Sequence, residues 1–78
     1  MKLTRGEFCQ FGMHTRFELL KEFGKHVVKR KVKMKLISVY RIFDFYVEVC
    51  ENANSNNLEK IEPLRNIQFL ELYKAMKT

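Results

Sequence analysis

Apolar and polar residues near the start of the chain recur with the spacing of two consecutive helices. Thr4 stands three residues before Glu7, and Thr15 stands three residues before Glu18. At a helix start, a Thr hydroxyl and a Glu carboxylate in this spacing reciprocally satisfy free backbone amides. The sequence therefore predicts a short helix from Thr4 that stops at Gly12, and a second helix that starts at Thr15.

The second predicted helix carries an apolar stripe that extends to Val27. Apolar residues at positions i, i+3 and i+7 are typical of a helix that buries one side. Gly24 falls inside this stripe and is a poor helix former, so the pattern leaves open whether residues 24–33 form helix or strand. The stripe consists of Phe17, Leu20, Gly24 and Val27, with Phe23 and Val28 beside it.

Beyond Lys29 the hydrophobic period changes from helical to alternating. Lysine occupies every second position and apolar residues occupy the positions between, as expected for a strand with one face in solvent. Residues 37–51 continue with strong strand formers and are too many for one strand, so we predict a hairpin turn at Phe43 and Asp44. The alternating residues are Lys31, Lys33 and Lys35 on one side and Val32, Met34 and Leu36 on the other.

A two-residue turn at Phe43 and Asp44 determines which residues of the predicted hairpin are opposed. Directly opposed residues share a face of the sheet, so each pair is either buried or open. The predicted buried pairs are Ile42–Phe45, Tyr40–Val47 and Ser38–Val49, and the predicted open-face pairs are Arg41–Tyr46, Val39–Glu48 and Ile37–Cys50.

The remaining chain predicts a loop, a short strand and a final helix. Asn52–Asn57 is rich in Asn and Ser, which favour turns, and Leu58–Glu62 follows as a strand that Pro63 ends. A helix from about Asn66 carries apolar residues at helical spacing. The predicted fold class is α+β, with a three-stranded antiparallel sheet and helices on one face, in the order α-α-β-β-β-α.

The part of this order that runs helix, three strands, helix resembles the double-stranded RNA-binding domain and the HicA-type toxin ribonucleases built on it. Resemblance to the double-stranded RNA-binding domain implies a lysine cluster at the start of the last helix. Resemblance to the HicA-type enzymes implies a histidine within the sheet. This chain has only Arg65 at the first position, in the segment IEPLRNIQF, and no histidine in a predicted strand. We therefore assign no family from the order of elements.

Length and composition favour one small folded domain. Seventy-eight residues can build a single modest core, and a hydrophobic fraction of 46% is typical of a folded chain. We expect residues 1–78 to form one α+β domain in the cytoplasm, because no segment resembles a signal peptide or a membrane span. In that compartment Cys9 and Cys50 are expected to be reduced.

The net charge of +6 is unevenly distributed along the chain. The stretch KRKVKMK holds five cations in seven residues, whereas acids outnumber cations between Arg41 and Glu71. Such a run is typical of a solvated strand face, and it is also the electrostatic footprint of a nucleic-acid binder in which an aromatic ring can stack a base. On this hypothesis nucleic acid binds to Lys25, Lys29, Arg30, Lys31, Lys33, Lys35, Arg41 and Tyr46.

A different hypothesis, which the sequence alone ranks first, concerns an apolar group on the open face of the sheet. Four apolar side chains are predicted to lie there among charges, and a contiguous exposed apolar patch often marks an interaction surface. The predicted function is binding of a protein partner, or of a second copy of the chain, through Ile37, Val39, Tyr46 and Cys50.

No residue pattern points to catalysis, a cofactor or a metal. The three glycines are scattered, and no Ser–His–Asp or Cys–His arrangement can be nominated. Two Cys and two His are a zinc-compatible set, but only Cys9 and His14 are closely spaced, whereas His26 and Cys50 are far apart in sequence. We expect a protein that is not an enzyme, with no catalytic residue, no cofactor and no bound metal.

Overall fold

Two helices and four antiparallel strands make up residues 2–64, the part of the chain that the computed structural model describes. They are α1 (Arg5–Cys9), α2 (Met13–Phe23), β1 (Lys25–Val32), β2 (Lys35–Ile42), β3 (Phe45–Asn52) and β4 (Leu58–Leu64). The strands are neighbours in the sheet in chain order. The α+β class is as predicted, but the sheet has four strands where the sequence predicts three. The predicted final helix from Asn66 lies outside the described residues.

The first helix begins where the sequence predicts it. The Thr4 Oγ1 accepts a hydrogen bond from the Glu7 backbone N–H (3.1 Å), and a Glu7 carboxylate oxygen accepts one from the Thr4 N–H (2.9 Å). This pair is the predicted capping box, and it satisfies two amides that a helix start leaves free. α1 ends at Cys9, earlier than the predicted stop at Gly12.

The second helix differs from the prediction at both ends. α2 starts at Met13 after Gly12, so Thr15 lies inside the helix and the capping box predicted there is wrong. It ends one residue before Gly24, which turns into extended backbone with φ −83° and ψ 153°. A Cβ on Gly24 would lie 2.7 Å from the Leu20 carbonyl oxygen, so this close turn requires glycine.

β1 is the strand that the sequence does not predict. Val27 and Val28 fit the apolar stripe of a helix, but β-branched residues also favour strands, and in extended form residues 25–32 pair with β2 along one side. The helical alternative for residues 24–33 is therefore wrong. A two-residue turn at Lys33 and Met34 joins β1 to β2, so the continuous strand predicted from Lys31 onwards is also wrong.

The hairpin of β2 and β3 has the predicted turn and the predicted register. Ile42 faces Phe45 across the turn at Phe43 and Asp44, and all six predicted pairs are present. The register is well defined because a slip by one residue would turn every apolar side chain to the other face. Phe43, the first residue of the turn, has a φ of 56°, a left-handed value that is rare for a bulky residue.

The Asn-rich loop and β4 complete the described chain. Asn52 Oδ1 accepts hydrogen bonds from the backbone N–H groups of Asn54 (2.9 Å) and Ser55 (3.1 Å), as the loop prediction requires. β4 continues through Pro63, two residues beyond the predicted end at Glu62. A proline is tolerated there because β4 is an edge strand of the described sheet.

Both helices pack apolar side chains against one face of the sheet, which we call the helix face. Phe8 of α1 meets Phe45 of β3 edge to face, with ring centroids 5.6 Å apart. Removal of these side chains from water is the main stabilising contribution to the fold. The core cluster consists of Phe8, Leu20, Ile42, Phe45, Val47, Val49 and Ile61.

Arg16 of α2 connects the two helices to β4 through hydrogen bonds. Its guanidinium donates hydrogen bonds to the carbonyl oxygens of Cys9 (2.8 Å), Phe11 (2.8 Å) and Ile61 (2.5 Å). It also lies 5.7 Å from the centroid of the Phe8 ring. Arg16 therefore has a structural role, which its place in the basic half of the sequence does not predict.

Candidate nucleic-acid interface

β1 lies at an edge of the described sheet and carries most of the predicted phosphate-binding cations. Along this strand only Val28 and Val32 are half-buried, and every other residue is exposed. The register with β2 places Lys29 and Lys31 on the helix face and Arg30 on the opposite face. Cations therefore lie on both faces of the sheet at this edge.

Six cations at this end of the sheet have no carboxylate partner among residues 2–64. The ion pairs of the described residues involve Lys2, Lys21, Lys35 and Lys60, none of which lies on β1. A cation without a neighbouring carboxylate attracts an anionic ligand more strongly than a cation whose charge is offset by an ion pair. We call this group the basic edge, and it consists of Lys25, Lys29, Arg30, Lys31, Lys33 and Arg41.

Lys35 does not belong to the basic edge, although the sequence groups it there. It forms an ion pair with Glu59 of β4. The prediction that Lys31, Lys33 and Lys35 line one face of a single strand is wrong, because the turn at Lys33 and Met34 interrupts the alternation. Lys31 lies on β1, Lys33 in the turn and Lys35 on β2.

The half of the sheet that β3 and β4 form is acidic. β3 and β4 carry four glutamates and a single cation, Lys60, whose ammonium lies 3.5 Å from a Glu48 oxygen and 3.8 Å from a Glu62 oxygen. Because the strands are neighbours in chain order, the charge asymmetry of the sequence becomes a charge gradient from β1 to β4. The glutamates are Glu48, Glu51, Glu59 and Glu62.

An open cleft with a volume of about 240 Å³ lies where α2 ends and the turn between β2 and β3 begins. Phe23 and Phe43 form its aromatic wall, with ring centroids 5.4 Å apart and planes tilted by 36°. Lys25 and Arg41, which are opposed across β1 and β2, form its cationic wall. The cleft therefore joins two half-buried aromatic rings to the start of the basic edge.

The two aromatic residues of the cleft were missed by reasoning from the sequence, which names Tyr46 for base stacking. Tyr46 is half-buried opposite Arg41, on the face away from the helices. Phe43 does carry a signal, because it is an aromatic residue in a two-residue turn where Asn or Gly is preferred. Phe23 carries none, since its approach to the turn depends on the end of α2 at Gly24.

The apolar group predicted on the open face is not an exposed patch. Val39, at its centre, is fully buried, and Ile37, Tyr46 and Cys50 are half-buried. The register does place all four on the face away from the two helices, as predicted. The exposure that the partner hypothesis needs is therefore missing at Val39, and binding of a protein through this face stays a prediction.

The histidines and cysteines of the described residues form no metal site. Within residues 2–64, no group of three or more His, Cys, Asp or Glu side chains is placed to hold a metal ion. Cys9 is exposed and Cys50 is half-buried. His26 lies on β1 with its ring 5.3 Å from the Tyr40 ring, so the expectation that no histidine lies in a strand is wrong.

No protein-family model, no curated protein sequence and no solved structure matches this chain. Across residues 2–64, no helix has both the length and the apolar content needed to cross a membrane.

Proposed function

We propose that the protein is a non-enzymatic nucleic-acid-binding module that contacts phosphates through the basic edge. One observation carries the proposal: an exposed edge strand whose cations have no carboxylate partner within residues 2–64. The sequence alone ranks a protein partner on the open face first. The complete burial of Val39 supports placing the basic edge ahead of that face.

Phosphate binding suits this edge for two physical reasons. Each cation that neutralises a phosphate releases condensed counterions, which supplies most of the sequence-independent affinity for a nucleic-acid backbone. β1 also has a neighbour on only one side in the described sheet, so some of its backbone N–H groups point outward and can donate to phosphate oxygens. Lysines on an edge strand meanwhile oppose pairing with another sheet, which disfavours a second copy at this position.

The charge gradient supports one defined orientation on the ligand. A polyanion is attracted to β1 and repelled by the glutamates of β3 and β4, so the protein approaches with β1 first. If about four phosphates of a single strand are contacted, affinity should fall roughly 50-fold between about 50 and 200 mM salt. An uncharged ligand would show no such dependence.

A salt titration of two charge-matched variants tests the proposal. Each variant replaces three cations with Gln, so the two proteins have the same net charge. The edge variant carries Lys29→Gln, Arg30→Gln and Lys31→Gln, and the control variant carries Lys2→Gln, Lys21→Gln and Lys60→Gln, all three from ion pairs. Fluorescence anisotropy with mixed-sequence DNA and RNA should show that the negative slope of log K against log salt becomes less steep by about 2 in the edge variant only.

Two results would contradict the proposal. Equal losses in both variants would mean that net charge, and not the position of the cations on β1, determines binding. A parent protein that binds neither DNA nor RNA at low salt would contradict the proposed function altogether.

The cytoplasm is the compartment in which we expect this activity.

A further inference from the structure

We propose that the cleft of Phe23, Lys25, Arg41 and Phe43 binds one unpaired nucleobase together with its phosphate. The ligand of the basic edge would then be single-stranded nucleic acid. This inference rests on the proposed function and goes further, because it assigns a site for a base where the basic edge accounts only for phosphates. It follows from four properties of the cleft: its aromatic wall, its cations, its turn conformation and its size.

The aromatic wall presents ring surface to solvent. Phe23 and Phe43 are both half-buried, pack against the core cluster, and line the open cleft. Their centroids lie 5.4 Å apart, and Phe43 also lies 6.5 Å from the Phe45 ring, so the wall is backed by the core cluster. Single-stranded nucleic acid is commonly bound by stacking of bases on aromatic rings of this kind.

The cationic wall lies beside these rings. Lys25 and Arg41 are exposed cross-strand partners and have no carboxylate partner within the described chain. The acid next in sequence to Phe43 is Asp44, and its carboxylate is paired with the Lys2 ammonium at 3.5 Å. An arginine can bond a phosphate through two N–H groups at once, so this wall matches the phosphate that accompanies a stacked base.

The conformation of the turn is unfavourable for the residue that occupies it. Phe43 has a φ of 56°, where a glycine would be free of strain. Strained backbone persists where the surrounding structure or a function requires it. In this conformation the Phe43 ring lies against the Phe23 ring at the wall of the cleft.

The size of the cleft is sufficient for a single ring. Its volume of about 240 Å³ is below the ~300–1,000 Å³ of pockets that enclose a drug-sized ligand. One base fits such a volume. The remaining phosphates can then follow the cations of β1, which begins at Lys25.

Binding of two labelled oligonucleotides that differ only in their bases tests the site. One is an oligothymidylate of about 12 nucleotides, and the other is an abasic chain with the same number of phosphates. The parent should bind the base-bearing chain at least about fivefold more tightly, since stacking of one base is worth roughly 5- to 150-fold in affinity. Phe43→Leu and, separately, Phe23→Leu should each reduce this preference and leave the affinity for the abasic chain unchanged.

Phe11→Leu provides the matched control, because Phe11 is an exposed phenylalanine that does not line the cleft. It should keep the preference for the base-bearing chain. Thermal melting of each variant shows whether it is folded, and an oligonucleotide with 2-aminopurine reports stacking in the unmodified parent. A change in its emission on binding supports the site even if a Phe variant fails to fold.

The outcomes separate this inference from the proposed function. Equal affinity of the parent for both chains, with no change in 2-aminopurine emission, would overturn the base site while phosphate binding by the basic edge stands. A loss of preference in Phe11→Leu as large as in Phe43→Leu would also overturn it. Failure of the parent to bind either chain would overturn the base site, and failure to bind the mixed-sequence DNA and RNA as well would overturn both proposals.

Discussion

β1 and β3 have the same length but opposite environments. β1 is exposed at six of its eight residues and carries four cations, whereas β3 is buried at every second residue from Phe45 to Val49 and carries two glutamates. β3 lies between two strands of the sheet, and β1 has a neighbour on one side of the described sheet only. The comparison indicates that the central strands supply stability and that β1 supplies charge. Substitutions should therefore have very different consequences in the two regions.

The largest difference is expected between Val39→Glu and Val27→Glu. Val39 is fully buried, so a glutamate there would be a buried charge without a partner and should cost about 3–5 kcal/mol of unfolding free energy. Val27 lies exposed on the basic edge strand, where a glutamate meets cations and should change stability little. Urea denaturation followed by circular dichroism measures both. A folded Val39→Glu protein of parental stability would contradict the burial of this residue.

A second pair of variants removes the same two methyl groups from each region. Val47→Ala leaves a cavity in the core cluster and should lower the unfolding free energy by about 2 kcal/mol. Val27→Ala should stay within about 0.5 kcal/mol, as exposed substitutions usually do. Equal urea midpoints would mean that β1 contributes as much to the core as β3 does.

Arg16→Lys should cost about 1–2 kcal/mol, because one ammonium cannot reproduce the bonds from a guanidinium to three carbonyl oxygens. Arg30→Lys is the matched change on the basic edge and should leave stability unchanged. The thermal midpoints of the two variants provide the comparison. If both were equal to the parent, the contacts of Arg16 would have no net stabilising role.

The smallest effect is expected at Lys33, and it has the opposite sign. Its φ of 56° favours glycine and its side chain is exposed, so Lys33→Gly should raise the unfolding free energy by about 0.5–1 kcal/mol. Phe43→Gly relieves the same strain but removes ring contacts with Phe23 and Phe45, so it should destabilise. Stabilisation by both glycines would show that the Phe43 ring contributes nothing to packing.

The β2–β3 hairpin was predictable because two local signals agree. Alternation selects the face of each residue, and a two-residue turn at Phe43 and Asp44 then determines every cross-strand pair. β1 was not predictable from the same kind of signal, since Val27 and Val28 fit a helix stripe and a strand equally well. The pairing of β1 with β2 decides between them, and it becomes possible because α2 ends at Gly24.

The candidate site was predictable in its charges and not in its geometry. Five of the basic-edge cations come from one stretch, residues 25–33, so their grouping follows from the sequence. Lys35 is excluded from the basic edge because it forms an ion pair with Glu59. This pair depends on the positions of β2 and β4, and no local sequence pattern indicates it. The cleft likewise requires Phe23 to meet Phe43, twenty positions apart in the sequence.

A sheet whose strand order equals its chain order also has a consequence for how fast the protein folds. Only residues 33–34, 43–44 and 53–57 separate successive strands, so each pairing closes a short loop. Loops of about ten residues close within roughly 10–100 ns, and chains rich in such local contacts fold faster than those with distant pairings. Assembly of the four strands within residues 2–64 needs no crossover between strands that are distant in sequence. We therefore expect refolding on a scale of about milliseconds, which is rapid for a domain with so much strand.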